Sequence, residues 1–228
     1  MKQVSQIVRC AVFILLPSIL ILLLSGCGPI GVIASALPAP TIEAAYTGLA
    51  GQTVGVMVWA DRAIRIDFPN IQGDLAGTVQ ARLQTGGQKD KRLPEEIANA
   101  KWVDARSIAR YQQDHPEIDG LSVQQFAPEL GVTRLIYIEI EDFQTRSDMS
   151  LDLYRGAISV SLKVAEVSPD GKTTKIGYEE SGVRAAFPKG APQEGVINAN
   201  DYAMYVGTLR TVAVQISNRF MPHPGEDR

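Results

Sequence analysis

Apolar positions along this chain change period several times, and each change predicts an element. Gln52–Ala60, reading QTVGVMVWA, is apolar and β-branched on both faces and is bounded by Gly51 and Asp61-Arg62. A run without alternation predicts a central strand covered on both sides. Ile71, Leu75, Val79 and Leu83 then recur every fourth residue behind Pro69-Asn70. That spacing predicts an amphipathic helix, ended by Gly86-Gly87. Gly73 and Gly77 weaken it, or let another backbone come close. Residues 88–101 are charged and poor in large apolar side chains, which predicts a surface loop with a short helix at Pro94–Ala98. Lys101–Val103 reads as a brief strand. Asp104 caps a short helix through Tyr111, and Ser122 caps another, SVQQFAPELGV. In the latter, Val123, Phe126, Ala127 and Leu130 face inward, Pro128 interrupts, and Gly131 is the stop.

The second half alternates. Ile136, Ile138 and Ile140 lie opposite Tyr137, Glu139 and Glu141, which makes Arg134–Phe143 a half-buried strand. Leu151–Val167 is a longer one, with Ile158, Val160, Leu162 and Val164 alternating against Ser159, Ser161 and Lys163. Its phase slips at Ala165–Val167, which predicts a bulge. Ser168-Pro169-Asp170-Gly171 is a turn, and Thr173–Phe187 returns as the hairpin partner. Behind a cap at Asn198 or Asn200, Tyr202, Tyr205, Val206, Leu209, Val212, Ala213, Ile216 and Phe220 step by three and four. That closing helix is expected to lie flat on one sheet face. The expected fold is an α/β (α+β) sandwich: a mixed sheet containing an antiparallel three-strand meander, with helices packed on it.

The first fifty residues decide where this fold works. Lys2 and Arg9 precede an apolar run from Cys10 to Leu24, broken only at Pro17-Ser18, and no acid precedes Cys27. A membrane-spanning helix needs about twenty apolar residues. This run is shorter and ends in small residues, the pattern of a secretory signal peptide over residues 1–26. Residues 27–50 read as a flexible tether, with Pro29, Pro38 and Pro40 among small residues. Alternatively, Ile42–Tyr46 docks on the domain as an edge segment. Residues 51–221 read as a single globular domain, and 222–228 as a frayed tail. Loss of the signal removes Lys2 and Arg9 and no acid, taking the net charge from −3 to about −5. That sign disfavours a nucleic-acid partner, which requires a basic surface. Cys10 and Cys27 are the only cysteines, so the mature domain offers no disulfide, thiolate metal site or cysteine nucleophile.

Leu24-Ser25-Gly26-Cys27 resembles the lipobox of bacterial lipoprotein precursors. The resemblance implies cleavage before Cys27 and acylation of that residue, so that the protein meets the membrane through its N-terminal acyl chains. Gly28, in place of an aspartate, resembles the form compatible with the outer membrane of a two-membrane cell. Each buried CH₂ contributes about 0.8 kcal/mol to anchoring. The globular part, with FAPELGVTRLIYIEIEDF before a long hairpin and a closing helix, resembles a group of envelope lipoproteins. That group includes the curli-secretion channel lipoprotein, the lipoprotein activators of penicillin-binding proteins and the N-terminal domain of the Tol system's β-propeller protein. Leu130-Gly131-Val132 and Leu135–Ile140 carry the likeness, with Glu139 where the group commonly has glycine. It implies binding to another envelope protein or self-association. A pore would need a longer, less polar hairpin than residues 144–160, which contain Arg146, Asp148 and Asp152. An accessory role in envelope transport or secretion is the alternative, and would call for an unfilled apolar cleft.

Catalytic chemistry is poorly supplied. His115 and His223 both precede proline, away from cysteines and from carboxylates at ligand spacing. Gly-x-Ser-x-Gly is absent and no glycine-rich phosphate loop follows the first strand. Glu139, Glu141 and Asp142 gather at one strand end, where like charges raise one another's pKa; an exposed polar face is the simpler expectation. Asp148 and Asp152 lack calcium-loop spacing. The expectation is therefore no enzyme, no cofactor and no metal. Two surface candidates remain: Trp59, Ile64, Ile66 and Phe68 with Arg62 and Arg65, and a weaker one at Met149, Leu151, Leu153 and Tyr154. The first set serves equally well as a cap on the core.

Overall fold

The computed structural model describes residues 40–86 and 94–225. The expected signal segment 1–26, the expected acylation residue Cys27 and most of the expected tether lie outside the described residues. The elements follow in the order β1 (Thr41–Ile42), β2 (Thr53–Ala60), α1 (Arg62–Asp67), α2 (Ile71–Gln84), β3 (Lys101–Trp102), α3 (Ala105–Asp114) and α4 (Val123–Phe126). Then come β4 (Arg134–Ser147), β5 (Ser150–Val167), β6 (Thr174–Phe187), α5 (Asp201–Ser217) and β7 (His223–Pro224). The main sheet has the order β3-β2-β4-β5-β6. β2 runs parallel to β3 and β4, while β4, β5 and β6 form an antiparallel meander. The fold is α+β.

Two apolar layers explain the unbroken run of β2. On one face Val54, Val56, Val58 and Ala60 join Ile136, Ile138, Ile140, Leu162 and Val164 beneath α2 and α5. Ile71, Leu75, Val79 and Leu83 of α2 and Leu209, Val212, Ala213 and Ile216 of α5 fill that layer. On the other face Met57, Leu135, Ala165 and Val167 are covered by Ile108 of α3, Ile118, and Val123 and Phe126 of α4. This second layer is short. Beyond Tyr137 the meander has helices on one face only.

That asymmetry corrects the expected bulge in β5. Ala165 and Val167 do not slip in phase; they lie on the opposite face from Leu162 and Val164, and that face is apolar here because α4 covers it. The extra residue sits in the partner strand instead. Val164 pairs with Tyr178 and Ala165 with Ile176, which leaves Gly177 over.

Other boundaries moved for local reasons. Asp61 Oδ1 accepts the Ile64 N–H at 2.9 Å and starts α1 directly after β2. Gln125 Oε1 accepts the Ser122 N–H at 2.9 Å, but Pro128 cannot continue the α-helical ladder, so Ala127–Leu130 tightens into a 3₁₀ turn. Gly131 closes it with φ +65°, a left-handed conformation that glycine takes without strain. Asn200 caps α5, accepting the Ala203 N–H at 2.8 Å. Tyr202 is the exception in the expected inward stripe of α5: it is 77% exposed.

Both ends of the domain are more ordered than composition suggests. Tyr46 and Leu49 are buried in the core, and the Tyr46 N–H bonds the Arg219 carbonyl at 2.8 Å. Docking thus begins ahead of Gly51, and Ile42–His223 forms one compact unit. His223–Pro224, expected to fray, is the strand that pairs with β1. At the outer ends, the Gly225 N–H bonds the Pro40 carbonyl at 2.8 Å.

Candidate functional site: the uncovered face of the meander

The expected carboxylate cluster lies on the uncovered face of the meander. Ile140 pairs with Val160 and Asp142 with Ser159, so Glu141 is a bulged residue standing between the two registers. Its carboxylate accepts Ser159 Oγ at 2.7 Å and a short hydrogen bond from Ser161 Oγ. These hydroxyls, Ser161 first, hold Glu141 below the usual carboxylate range, and Arg184 acts in the same direction. The expected mutual raising by Glu139 is overturned at Glu141: local donors outweigh a like charge in an exposed setting. An acid kept ionised offers charge and hydrogen-bond acceptors, not a transferable proton.

Next to Glu141 the cross-strand pairs Ala157↔Ala186 and Ser159↔Arg184 form a shallow groove of about 610 Å³. Small side chains floor it. Glu141, Asp142, Arg155 and Arg184 stand around it, with both charge signs represented. Arg155 also donates to the Gln193 carbonyl at 3.2 Å, which ties the post-β6 loop to this rim. Farther along the same face Lys163 and Glu179 form a cross-strand ion pair at 3.2 Å.

The groove opens onto the outer edge of β6. No strand lies beyond β6 among the described residues, whereas the opposite edge is covered: Gln72 Nε2 caps the Val58 carbonyl at 2.9 Å. β6 carries extra residues at Gly177 and at Ser181-Gly182, so its early half is irregular. From Val183 to Phe187 its pairing with β5 runs without a shift. Uncovered regular edges are sites of strand addition.

The other surface candidates divide. Phe68 lies edge-on to Phe143 at 4.6 Å and stacks with Tyr205 at 5.9 Å, and Ile64 also packs against the core. Of the apolar members of that set only Ile66 is prominently exposed, at 66%; the set as a whole packs down on the core. At the β4–β5 hairpin tip Met149 is exposed, but Tyr154 lies under Arg146, whose guanidinium is 4.9 Å from the ring centroid. His115 stacks on Tyr111 and its Nδ1 lies 2.9 Å from Glu117, while His223 Nδ1 is 3.4 Å from the Met221 carbonyl. Asp148 and Asp152 are exposed, and no group of three or more metal-ligating side chains gathers among the described residues.

Three polar clusters were missed by sequence reasoning. Glu166 accepts the Tyr46 hydroxyl at 2.8 Å and pairs with Lys175 at 3.1 Å, with Arg134 at 3.9 Å. The Tyr46 hydrogen bond, then Lys175 and Arg134, hold its carboxyl below the ordinary value. Burial, with that same hydrogen bond second, pushes Tyr46 up to about 12. Arg219 grips Glu180 through two nitrogens at 2.8 and 2.9 Å, while Arg146 does the same to Asp201 at 2.6 and 3.1 Å. These contacts span up to 120 residues of chain, and no local pattern announces them. The groove residues left one trace, the small Ala157 and Ala186 at outward positions of apolar strands.

No family model matches this chain, and no curated protein matches it. Among solved structures, a variant PelC dodecamer from Paraburkholderia phytofirmans shares 10% identity, covers 80% of this chain and 99% of its own, and gives a TM-score of 0.42. Lipoprotein GNA1162 from Neisseria meningitidis shares 12%, over 73% and 96%, with a TM-score of 0.38. The hypothetical protein CT253 from Chlamydia trachomatis shares 14%, over 75% and 98%, with a TM-score of 0.41. Likeness at this level carries neither partner nor activity across.

Proposed function

We propose that this chain is a lipid-anchored periplasmic envelope lipoprotein, held through Cys27, that acts as a non-enzymatic protein-binding or assembly module. The observation that carries the reading is the uncovered face of the meander, with its small-residue groove beside an unpaired β6 edge. A sheet left half covered on one side presents ready backbone donors and acceptors. The occupant that suits it is an extended protein segment bearing both charge signs. Its backbone would add to β6 near Val183–Phe187, and its side chains would lie over Ala157 and Ala186. Arg155 and Arg184 would meet its acids, and Glu141 and Asp142 its bases. The lipobox supports the location. No helix among the described residues is long and apolar enough to cross a membrane; in this reading the acyl chains at Cys27 supply the anchor.

In-cell photocrosslinking tests the site. A photoreactive residue replacing Arg184 is expected to give a discrete protein adduct, while one replacing the exposed Gln84 on α2 gives none. The adduct's mass tells a second copy from another protein. Failure to crosslink from 184, or equal products from 184 and 84, refutes the assignment.

A further inference from the structure

A second cavity, of about 320 Å³, lies at the start of α2 against α3. α2 is a 14-residue helix whose cap, Asn70, makes no side-chain hydrogen bond to it. The Ile71 N–H is taken by the Phe68 carbonyl and that of Asp74 by Asn70. The Gln72 and Gly73 N–H groups between them have no such partner, and both residues line the cavity. A free helix start carries about half a positive charge.

The facing wall is cationic. Arg106 and Arg110, one turn apart on α3, and Arg65 of α1 all line the cavity. Neither Arg106 nor Arg110 has an ion pair within the described chain. Arg65 reaches Asp119 at 3.4 Å through one terminal nitrogen, while its Nε is buried without a partner. Gln112, only 8% exposed, lines the same cavity with its buried Nε2 also unpartnered. A buried amide donor without an acceptor is destabilising, and an acceptor arriving from outside relieves it. The one acid in the lining, Asp74, accepts the Tyr205 hydroxyl at 2.7 Å.

We infer that this cavity binds an oxyanion of the phosphate class, received by the first-turn N–H groups of α2, the Gln112 amide and the guanidinium groups of Arg65, Arg106 and Arg110. Backbone N–H groups at a helix start and planar guanidinium forks are the two donor types best matched to tetrahedral oxyanions. The same chemistry is offered by free phosphate and by a phospholipid headgroup. This site uses α2 and α3, and it stands whether or not the meander groove binds protein.

The test uses the full lipidated protein in zwitterionic detergent, titrated with inorganic phosphate and followed by the arginine Nε–H and glutamine side-chain NMR signals. Saturable shifts of the Gln112 and Arg65 signals are expected. Affinity should fall roughly ten- to hundredfold in Arg106→Ala/Arg110→Ala, which alters only exposed side chains, and also in Gln112→Leu. Reconstitution into digalactosyldiacylglycerol vesicles, which carry no phosphate, with or without phosphatidylglycerol separates the sources. Weaker apparent phosphate binding in the anionic vesicles identifies a headgroup as occupant, and unchanged binding identifies a free solute. No saturable phosphate binding, or equal affinity in the wild type and the arginine variant, overturns the inference.

Discussion

Single carboxylates in this domain are set by their partners rather than by their place in a charge run. Glu166, Glu180 and Asp201 each accept hydrogen bonds from a distant residue and sit below their ordinary pKa, led by Tyr46, Arg219 and Arg146 respectively. A depressed folded-state pKa contributes stability that is present above the unfolded value, about 4.3 for Glu. That stability is lost as pH falls through the folded value. Urea midpoints are therefore expected to drop between about pH 4.5 and 3 in the wild type. Glu166→Gln should show a shallower drop, because its amide still accepts from Tyr46 but no longer titrates. Parallel acid limbs for the two proteins would show that Glu166 contributes nothing to the pH dependence. None of this was legible in sequence. A carboxylate announces its charge locally, but the leading donors to these three arrive from 39 to 120 residues away.

At the scale of elements, legibility followed burial. Where a face is buried along its whole length, the period alone set α2 within a residue or two; the alternation of Ile136, Ile138 and Ile140 set the start of β4, which runs on past Phe143 to Ser147. Where cover stops partway, the pattern misled: Ala165 and Val167 looked like a slip because a second layer starts beneath them. Short elements governed by a cap or a proline, such as α1 and the Ala127–Leu130 turn, depend on one hydrogen bond and leave no period. A close helix–sheet approach is equally silent in sequence. Gly156 of β5 lies under α5, where an added Cβ would collide with Thr208 Oγ1 and stand 3.1 Å from the Met204 carbonyl. Gly156→Ala is accordingly expected to destabilise by about 1–3 kcal/mol through overpacking. This outweighs the roughly 0.4–1 kcal/mol that alanine gains by restricting the unfolded chain. Chemical denaturation reads the difference directly, and an unchanged or higher midpoint would mean that α5 is free to lift away from β5.

For the molecule as a whole, the sheet's uneven cover and the chain's N-terminus make one argument. Helices protect one face and the β2 edge, while the meander keeps a mixed-charge groove and the β6 edge open. An exposed edge is an aggregation hazard for a freely diffusing protein. Confinement to a membrane surface restricts which partners it meets and in what orientation. The fold's outline was written in hydrophobic patterning. The groove was not, because its floor consists of alanines whose meaning depends on what fails to cover them. The working account requires that the domain be tethered, and the intact mass of the protein extracted from membranes tests that most directly. The expected species lacks residues 1–26 and carries a diacylglycerol on the Cys27 sulfur with an acylated amino terminus. A chain that retains Met1, or one with a free thiol at Cys27, would contradict the account.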